Sequence, residues 1–127
     1  MNGNYLLDTN IAIAILERKI DFQGRHSAKG FLNTIVLGEL FFGAEKSSRV
    51  GENLERLQHL KRVFPVLACD AETARHYGSI RNVLLKKGRP IPENDIWIAA
   101  SARQHGLTLV TRDGHFGYVE DLVAERW

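Results

Sequence analysis

Short apolar runs alternate along the chain with longer segments in which apolar residues recur at helical spacing. The short runs predict strands at residues 5–7, 31–35, 65–68 and 107–110, with a further edge strand at residues 122–124. The longer segments predict helices at residues 11–18, 37–46, 53–63, 71–87 and 93–105. Residues 19–30 are polar and follow neither pattern. Because neighbouring parallel strands need crossover connections, the alternation predicts an α/β fold with helices on both faces of a mostly parallel central sheet.

Residues at the predicted helix ends support this arrangement. Residues 8–10 read Asp-Thr-Asn, all competent N-caps, and predict a sharp turn from the first strand into the first helix. Asp70 predicts the start of the helix that runs to residue 87, and Gly88 and Gly106 predict the ends of the last two helices. The face of helix 71–87 that we expect to be buried comprises Ala74, Tyr77, Arg81 and Leu84.

The composition is that of an ordinary globular protein. The 127 residues are 44% hydrophobic and 25% charged, so we expect residues 1–127 to form a single domain. The net charge of +2 neither indicates nor excludes nucleic-acid binding. Cys69 is the only cysteine, which excludes an internal disulfide and favours a reducing compartment. Without a basic leader at residues 1–4 or an apolar run longer than Ile11–Leu16, we expect a soluble, cytoplasmic protein with no membrane span.

Four carboxylates occupy distinctive places in this pattern: Asp8, Glu39, Asp95 and Asp113, together called the acidic quartet. The first and last follow predicted strands, the second interrupts an apolar stretch, and the third lies in the first turn of a helix. Each alone has an ordinary explanation, as a helix cap, a turn residue, a partner of the helix dipole or a solvent-facing residue. Ligands of open α/β sheets nevertheless bind beyond the carboxyl ends of the strands, where all four acids can meet.

Four carboxylates held together repel one another unless a cation lies between them. Ligation by oxygen alone selects a hard divalent ion, so the quartet predicts a site for Mg²⁺, with Mn²⁺ as a substitute. Such a site can hold one ion or a pair, and a pair is common in nucleases and phosphatases.

Several short segments occur in a distinctive order: Leu7-Asp8-Thr9-Asn10, Gly38-Glu39-Leu40, Gly43-Ala44-Glu45-Lys46, Gly88-Arg89-Pro90-Ile91, Asn94-Asp95, Ile98-Ala99-Ala100, Leu109-Val110-Thr111-Arg112-Asp113, Phe116 and Trp127. Each is common by itself. Together, in this order and over nearly the whole chain, they resemble the PIN-domain ribonucleases, specifically the VapC-type toxins of type II toxin–antitoxin systems. The resemblance implies a PIN-like fold.

The resemblance implies that the acidic quartet is both the catalytic and the metal-binding site. It implies a Mg²⁺-dependent endoribonuclease in which metal-activated water cleaves RNA, with tRNA or another structured RNA as substrate. Thr111 matches a hydroxyl residue that supports the last Asp or the metal-bound water in relatives, and Asn10 and Asn94 are expected to orient quartet members. Relatives often carry a hydroxyl residue shortly before the Glu. Val36 replaces it here, so Thr34 is expected to supply the hydroxyl.

The resemblance also implies partners, namely a second copy of the chain in a homodimer and a small VapB-like antitoxin in an apolar groove. Phe41 and Phe42 are adjacent, so a helix cannot turn both inward equally, and we expect them to line that groove.

Basic residues near the predicted ends of elements are candidates for contacts to RNA phosphates. Arg112, adjacent to the last acid, is the strongest candidate. The other candidates also suit solvated helix ends: Arg18, Lys19, Lys86, Lys87 and Arg89. His115 could join Arg112 at the phosphates, but it has no cysteine or histidine at ligand spacing, so we do not expect it to bind zinc.

Two other functions fit parts of the sequence. Asp8 at a strand end could be the nucleophile of an aspartyl phosphotransferase or phosphatase, although Asn10 stands where those enzymes need a second acid. A non-catalytic module that supports the DNA binding of its partner is the other alternative. A pure scaffold has no need to gather four negative charges, which argues against this last function.

Overall fold

The computed structural model describes residues 3–22 and 28–127, which form five strands and five α-helices in the predicted alternation. The strands are β1 (Asn4–Leu7), β2 (Lys29–Asn33), β3 (Val66–Leu67), β4 (Thr108–Val110) and β5 (Ala124–Glu125). The helices are α1 (Thr9–Leu16), α2 (Thr34–Glu45), α3 (Val50–Val63), α4 (Ala71–Lys87) and α5 (Glu93–His105). A short 3₁₀ helix, Gly114–Tyr118, follows β4. Residues 23–27, part of the segment without a pattern, lie outside the described residues.

The strands form one parallel sheet with the order β3-β2-β1-β4-β5. β1 is the central strand. β2 and then β3 lie on one side of it, and β4 and then β5 lie on the other side. The strand order therefore switches between β1 and β4, whose last residues, Leu7 and Val110, are paired. The predicted α/β class is confirmed, and ligands of such sheets bind beyond the carboxyl ends of the strands at this switch.

Both faces of the sheet centre are covered. Leu6 and Leu7 of β1, like Leu109 and Val110 of β4, have no exposed surface. Because successive residues of a strand point to opposite faces, complete burial of both neighbours requires packing on each side. The central strands are therefore fixed from both sides, and their ends provide a rigid base for side chains beyond them.

The boundary between β2 and α2 differs from the prediction of a strand at residues 31–35. The strand ends at Asn33, and Thr34 and Ile35 already belong to the helix. The reason is local, because the Asn33 carboxamide oxygen accepts a hydrogen bond from the Val36 N–H (2.8 Å) and caps the helix. Helices α1 and α3 likewise begin two to three residues earlier than predicted, at Thr9 and Val50.

The predicted ends of α4 and α5 are confirmed. Asp70 caps α4 through a reciprocal pair of hydrogen bonds with Thr73. Gly88 and Gly106 end α4 and α5 in the left-handed conformation, with φ of 66° and 64°. None of the described helices combines the length and the apolar composition needed to cross a membrane.

Candidate active site

Asp8 lies directly beyond β1 at the switch of strand order. Its N–H donates to the Val110 carbonyl of β4 (3.0 Å), so Asp8 continues the pairing of the two central strands by one step. Its carboxylate caps α1 by accepting from the Thr9 N–H (2.8 Å) and accepts a second bond from the Thr111 hydroxyl (2.7 Å). With 4% of its surface exposed, Asp8 is the most deeply buried acid of the quartet.

Glu39 reaches the same place from α2. One carboxylate oxygen accepts a hydrogen bond from the Thr9 hydroxyl, and the other accepts from the Asn94 side-chain N–H (3.0 Å). Thr9 follows Asp8, and Asn94 precedes Asp95, so these two bonds tie Glu39 to the starts of α1 and α5, next to the other two acids. Glu39 is therefore oriented by the starts of α1 and α5.

Asp95 and Asp113 meet at His115. The His115 Nε2 lies 2.5 Å from Asp95 Oδ2, and the Nδ1 lies 3.4 Å from Asp113 Oδ1. Asp95 comes from the first turn of α5, whereas Asp113 and His115 belong to the loop and 3₁₀ helix after β4. The Thr111 hydroxyl completes the connection, because it donates to Asp8 and accepts from the Asp113 N–H (3.0 Å).

Short chains of contacts thus link all four acids of the quartet. The four acids come from four separate places in the chain, and the strand order brings them together beyond the carboxyl ends of the central strands. Burial raises the pKa of the Asp8 carboxyl above its usual value, and the nearby charges of Asp95 and Glu39 raise it further, against the hydrogen bonds from Thr111 and Thr9. Burial likewise raises the pKa of Asp95, with added contributions from Asp113 and Glu39, although His115 acts in the opposite direction. Both carboxyls therefore retain their protons to higher pH than an ordinary Asp does, and a bound cation would act in the opposite direction.

The sequence did not place His115 inside the cluster. One atom each from Asp95, Asp113 and His115 lies within 4.8 Å of the others, a spacing at which one metal ion can reach all three. His115 has no cysteine or histidine at ligand spacing along the chain, and its carboxylate partner Asp95 comes from another element. The close spacing of Asp113 and His115 was the one available signal.

The residues expected to support the quartet have mixed outcomes. Asn94 does contact Glu39, whereas Asn10 accepts from the Arg112 N–H (3.3 Å) and so fixes the loop rather than an acid. The Thr34 hydroxyl accepts from the Cys69 N–H (3.4 Å), and Thr9 is the residue whose hydroxyl meets Glu39. The expectation for Thr34 was wrong because it begins α2, more than one helical turn before Glu39.

The fold and the site together define the class of protein: an α/β protein with a cluster of acids beyond the two central strands of a parallel sheet. The chain belongs to the PIN domain family, which its sequence matches over residues 5–122. It is 35% identical to ribonuclease VapC2 of Haemophilus influenzae and 36% identical to the tRNA(fMet)-specific endonuclease VapC of Shigella flexneri, over 97% of both chains in each case. Its fold matches a chain in the crystal structure of DNA-bound VapBC from Salmonella typhimurium, with a TM-score of 0.90, 32% identity and 98% of both chains covered. The family membership expected from the sequence is confirmed.

Proposed function

We propose that this protein is a metal-dependent endoribonuclease, the toxin of a toxin–antitoxin pair, and that the acidic quartet is its catalytic and metal-binding site. The observation that carries the proposal is the convergence of four carboxylates, from four separate parts of the chain, beyond the ends of β1 and β4. Mg²⁺ is the proposed ion, with Mn²⁺ as a substitute, because the four acids offer oxygen ligands. The ribonuclease relatives support the same activity.

The donor set fits a divalent cation. Asp8 and Asp95 are largely buried, and their pKa values are raised by burial and by neighbouring acids. A bound cation would stabilise the ionised form of both, which the protein alone disfavours. Asp8 and Glu39 are oriented by hydrogen bonds from Thr9, Thr111 and Asn94, so the ligands are held in place before an ion arrives.

When bound, the ion would offset negative charge on the scissile phosphodiester and acidify the attacking water. The residues of the chain supply the orientation for that reaction. Thr111 holds the Asp8 carboxylate and the Asp113 backbone together, and Thr9 and Asn94 hold the two oxygens of Glu39. Asp113 is the exposed member of the quartet and therefore faces the solvent from which RNA and water arrive.

We propose that RNA approaches over the loop after β4. Arg112 is exposed and adjacent to Asp113. Two hydrogen bonds fix the Arg112 backbone: the Arg112 N–H donates to the Asn10 side chain, and the Arg126 guanidinium donates to the Arg112 carbonyl (2.8 Å). Arg112 and Arg126 therefore lie together at the loop that carries Asp113, where they can neutralise RNA phosphates. The Shigella relative is named for tRNA(fMet), which makes tRNA the leading substrate class for this chain.

We further propose a small VapB-like antitoxin and a homodimer of single-domain chains. A cavity of about 280 Å³ lies between α1, α2 and α3, and Ile13, Leu40, Leu57 and Glu39 are among its lining residues. Because apolar side chains and Glu39 line the same cavity, an antitoxin segment bound there could reach the acidic quartet. Phe42 lies on the same helix as Leu40 and is 65% exposed, whereas Phe41 packs against the core. Of the two phenylalanines expected in the groove, Phe42 is therefore the one available to a partner.

The test is RNA cleavage by the purified protein with and without divalent ions. We expect no cleavage of a tRNA mixture in EDTA, recovery on addition of Mg²⁺ or Mn²⁺, and products with 5′-phosphate and 3′-hydroxyl ends. Cleavage that continues unchanged in EDTA, after removal of bound metal, would reject the metal-dependent mechanism. Acyl-phosphate trapped on Asp8 would instead favour a phosphotransferase.

A further inference from the structure

His115 lies among the acids that we assign to catalysis, although it belongs to none of the motifs by which the site was found. Its ring faces two carboxylates from different parts of the chain, with Nε2 at 2.5 Å from Asp95 and Nδ1 at 3.4 Å from Asp113. Its side chain is 28% exposed, and that of Asp95 is 14% exposed. The imidazole is therefore part of the partly buried wall of the site.

The position of His115 is set by the fold. The residue belongs to the short 3₁₀ helix Gly114–Tyr118, in which the next residue, Phe116, is 1% exposed and packs in the core. The ring centroids of His115 and Phe116 are 5.2 Å apart. Because the buried Phe116 fixes the backbone next to His115, the imidazole is held where it faces Asp95 and Asp113.

We propose that His115 is a metal ligand, and that Asp95, Asp113 and His115 form a mixed oxygen–nitrogen site for a divalent transition metal. The inference rests on the proposed function, because two of the three ligands belong to the acidic quartet. Among the described residues, one oxygen from each of these acids and one ring nitrogen lie within 4.8 Å of one another. One ion can therefore bind all three groups after small side-chain adjustments.

The nitrogen ligand has a consequence for metal choice. Carboxylates suit Mg²⁺ and Mn²⁺ alike, whereas imidazole is a good ligand for first-row transition metals and a poor one for Mg²⁺. His115 thus favours Mn²⁺ over Mg²⁺ at this part of the site. Four oxygen ligands alone would give no such preference.

The direct test is pulsed electron paramagnetic resonance of Mn²⁺ bound to the full chain, in which a coordinated ¹⁴N gives a characteristic modulation. We expect the modulation in the unmodified protein and its replacement by a ¹⁵N signal after labelling with ¹⁵N-histidine, a result that needs no variant to fold. The modulation should disappear in His115→Gln and persist in His105→Gln, which changes an exposed histidine at the far end of α5.

Binding titrations provide a second readout. His115→Gln should weaken Mn²⁺ binding by about tenfold or more and change Mg²⁺ binding much less. Absence of nitrogen modulation in the unmodified protein overturns the proposal. Tighter Mn²⁺ binding by His115→Gln also overturns it, since His115 would then occupy the place of the cation rather than bind it. Nitrogen modulation without RNA cleavage under any metal would support His115 as a ligand and reject the proposed function. Metal-dependent RNA cleavage without nitrogen modulation would support the proposed function and reject His115 as a ligand.

Discussion

Asp8 is the residue whose environment determines most about the site, because it is nearly buried and yet must be ionised to bind a cation. Its carboxylate accepts hydrogen bonds from the Thr9 N–H and the Thr111 hydroxyl, both of which stabilise the charged form. Burial outweighs them and raises the pKa of Asp8, and the charges of Asp95 and Glu39 add to the increase. The metal-free folded state therefore disfavours ionised Asp8.

This imbalance predicts a pH dependence of stability. In the unfolded chain an Asp ionises near its usual pKa of about 3.9, whereas folded Asp8 retains its proton to higher pH. The stability contributed by protonated Asp8 is complete below the unfolded pKa and is lost as the pH rises through the raised folded pKa. In EDTA, Asp8→Asn should therefore become more stable relative to the unmodified protein as the pH rises from 4 to 7.

Urea unfolding of both proteins across this pH range measures the difference directly. Asp121→Asn is the matched control, because it removes an exposed carboxylate beside the C-terminal end of α5, away from the quartet. A difference between Asp8→Asn and the unmodified protein that stays constant with pH would show that Asp8 has an ordinary pKa.

At this scale the sequence predicted the acids and the support from Asn94 and Thr111, but not the contacts of His115 and Thr9. Asp8 and Asp113 could be found because they follow strands, and strand ends meet at one edge of a parallel sheet. The contacts of His115 with Asp95 and of Thr9 with Glu39 join different elements. Residue spacing along the chain carries no information about such pairs.

At the scale of elements, Asn33 connects the two helices that carry Glu39 and Asp95. It is fully buried, caps α2 through the Val36 N–H, and donates from its side chain to the Ser101 hydroxyl of α5 (3.1 Å). One side chain thus fixes the start of α2 relative to the middle of α5. The relative positions of the two acids depend on this bond.

Asn33→Ala should lower the free energy of unfolding by about 2 to 3 kcal/mol, since it removes a helix cap and a buried hydrogen bond. Ser101→Ala should cost about 1 kcal/mol, and the double variant should cost less than the sum of the two, as expected for residues in contact. Denaturant unfolding measures all three, with Asn82→Ala on the exposed face of α4 as the control. Strict additivity would contradict a coupling between the two helices.

The elements also show where the hydrophobic pattern is insufficient. The face of α4 predicted to be buried held Ala74, Tyr77, Arg81 and Leu84, but the buried residues are Thr73, Ile80 and Leu84. Thr73 is polar and fully buried because its hydroxyl bonds to Asp70 and Gln104. A pattern based on residue type assigns such a threonine to the surface. The hydrophobic pattern also did not predict the strand order. It predicted parallel strands, but not that β4 pairs with β1.

On the scale of the whole molecule, the fold concentrates negative charge at one sheet edge of a chain whose net charge is +2. A cation bound there should stabilise the folded state by linkage. At a hundredfold excess over Kd, Mg²⁺ or Mn²⁺ should raise the Tm by about 5 to 10 °C. Thermal unfolding measures the shift, and Glu39→Gln should stabilise the metal-free protein and reduce the response. An equal shift with the same ionic strength of KCl would mean that no specific cation site exists.

The surface beside the site should bind the antitoxin. Phe42→Ser should weaken binding of the proposed VapB-like antitoxin by about tenfold or more, because an exposed aromatic side chain is a typical centre of binding energy. RNA cleavage by the free protein should be unchanged. Val123→Ser is a matched control, since Val123 is also 65% exposed and lies next to β5 rather than on α2. If both variants bind the antitoxin equally well, the exposed face of α2 that carries Phe42 is not its site.

Asp95→Asn shows whether acids from separate elements form one metal centre that cleaves RNA. The measurement is the single-turnover rate of tRNA cleavage at saturating RNA and Mg²⁺, compared with the unmodified protein and with Asp121→Asn. If Asp95 binds the metal, Asp95→Asn should lose at least about a thousandfold in rate, with the folded state retained, and Asp121→Asn should lose none. A rate for folded Asp95→Asn equal to that of the unmodified protein would show that Asp95 does not belong to the catalytic site.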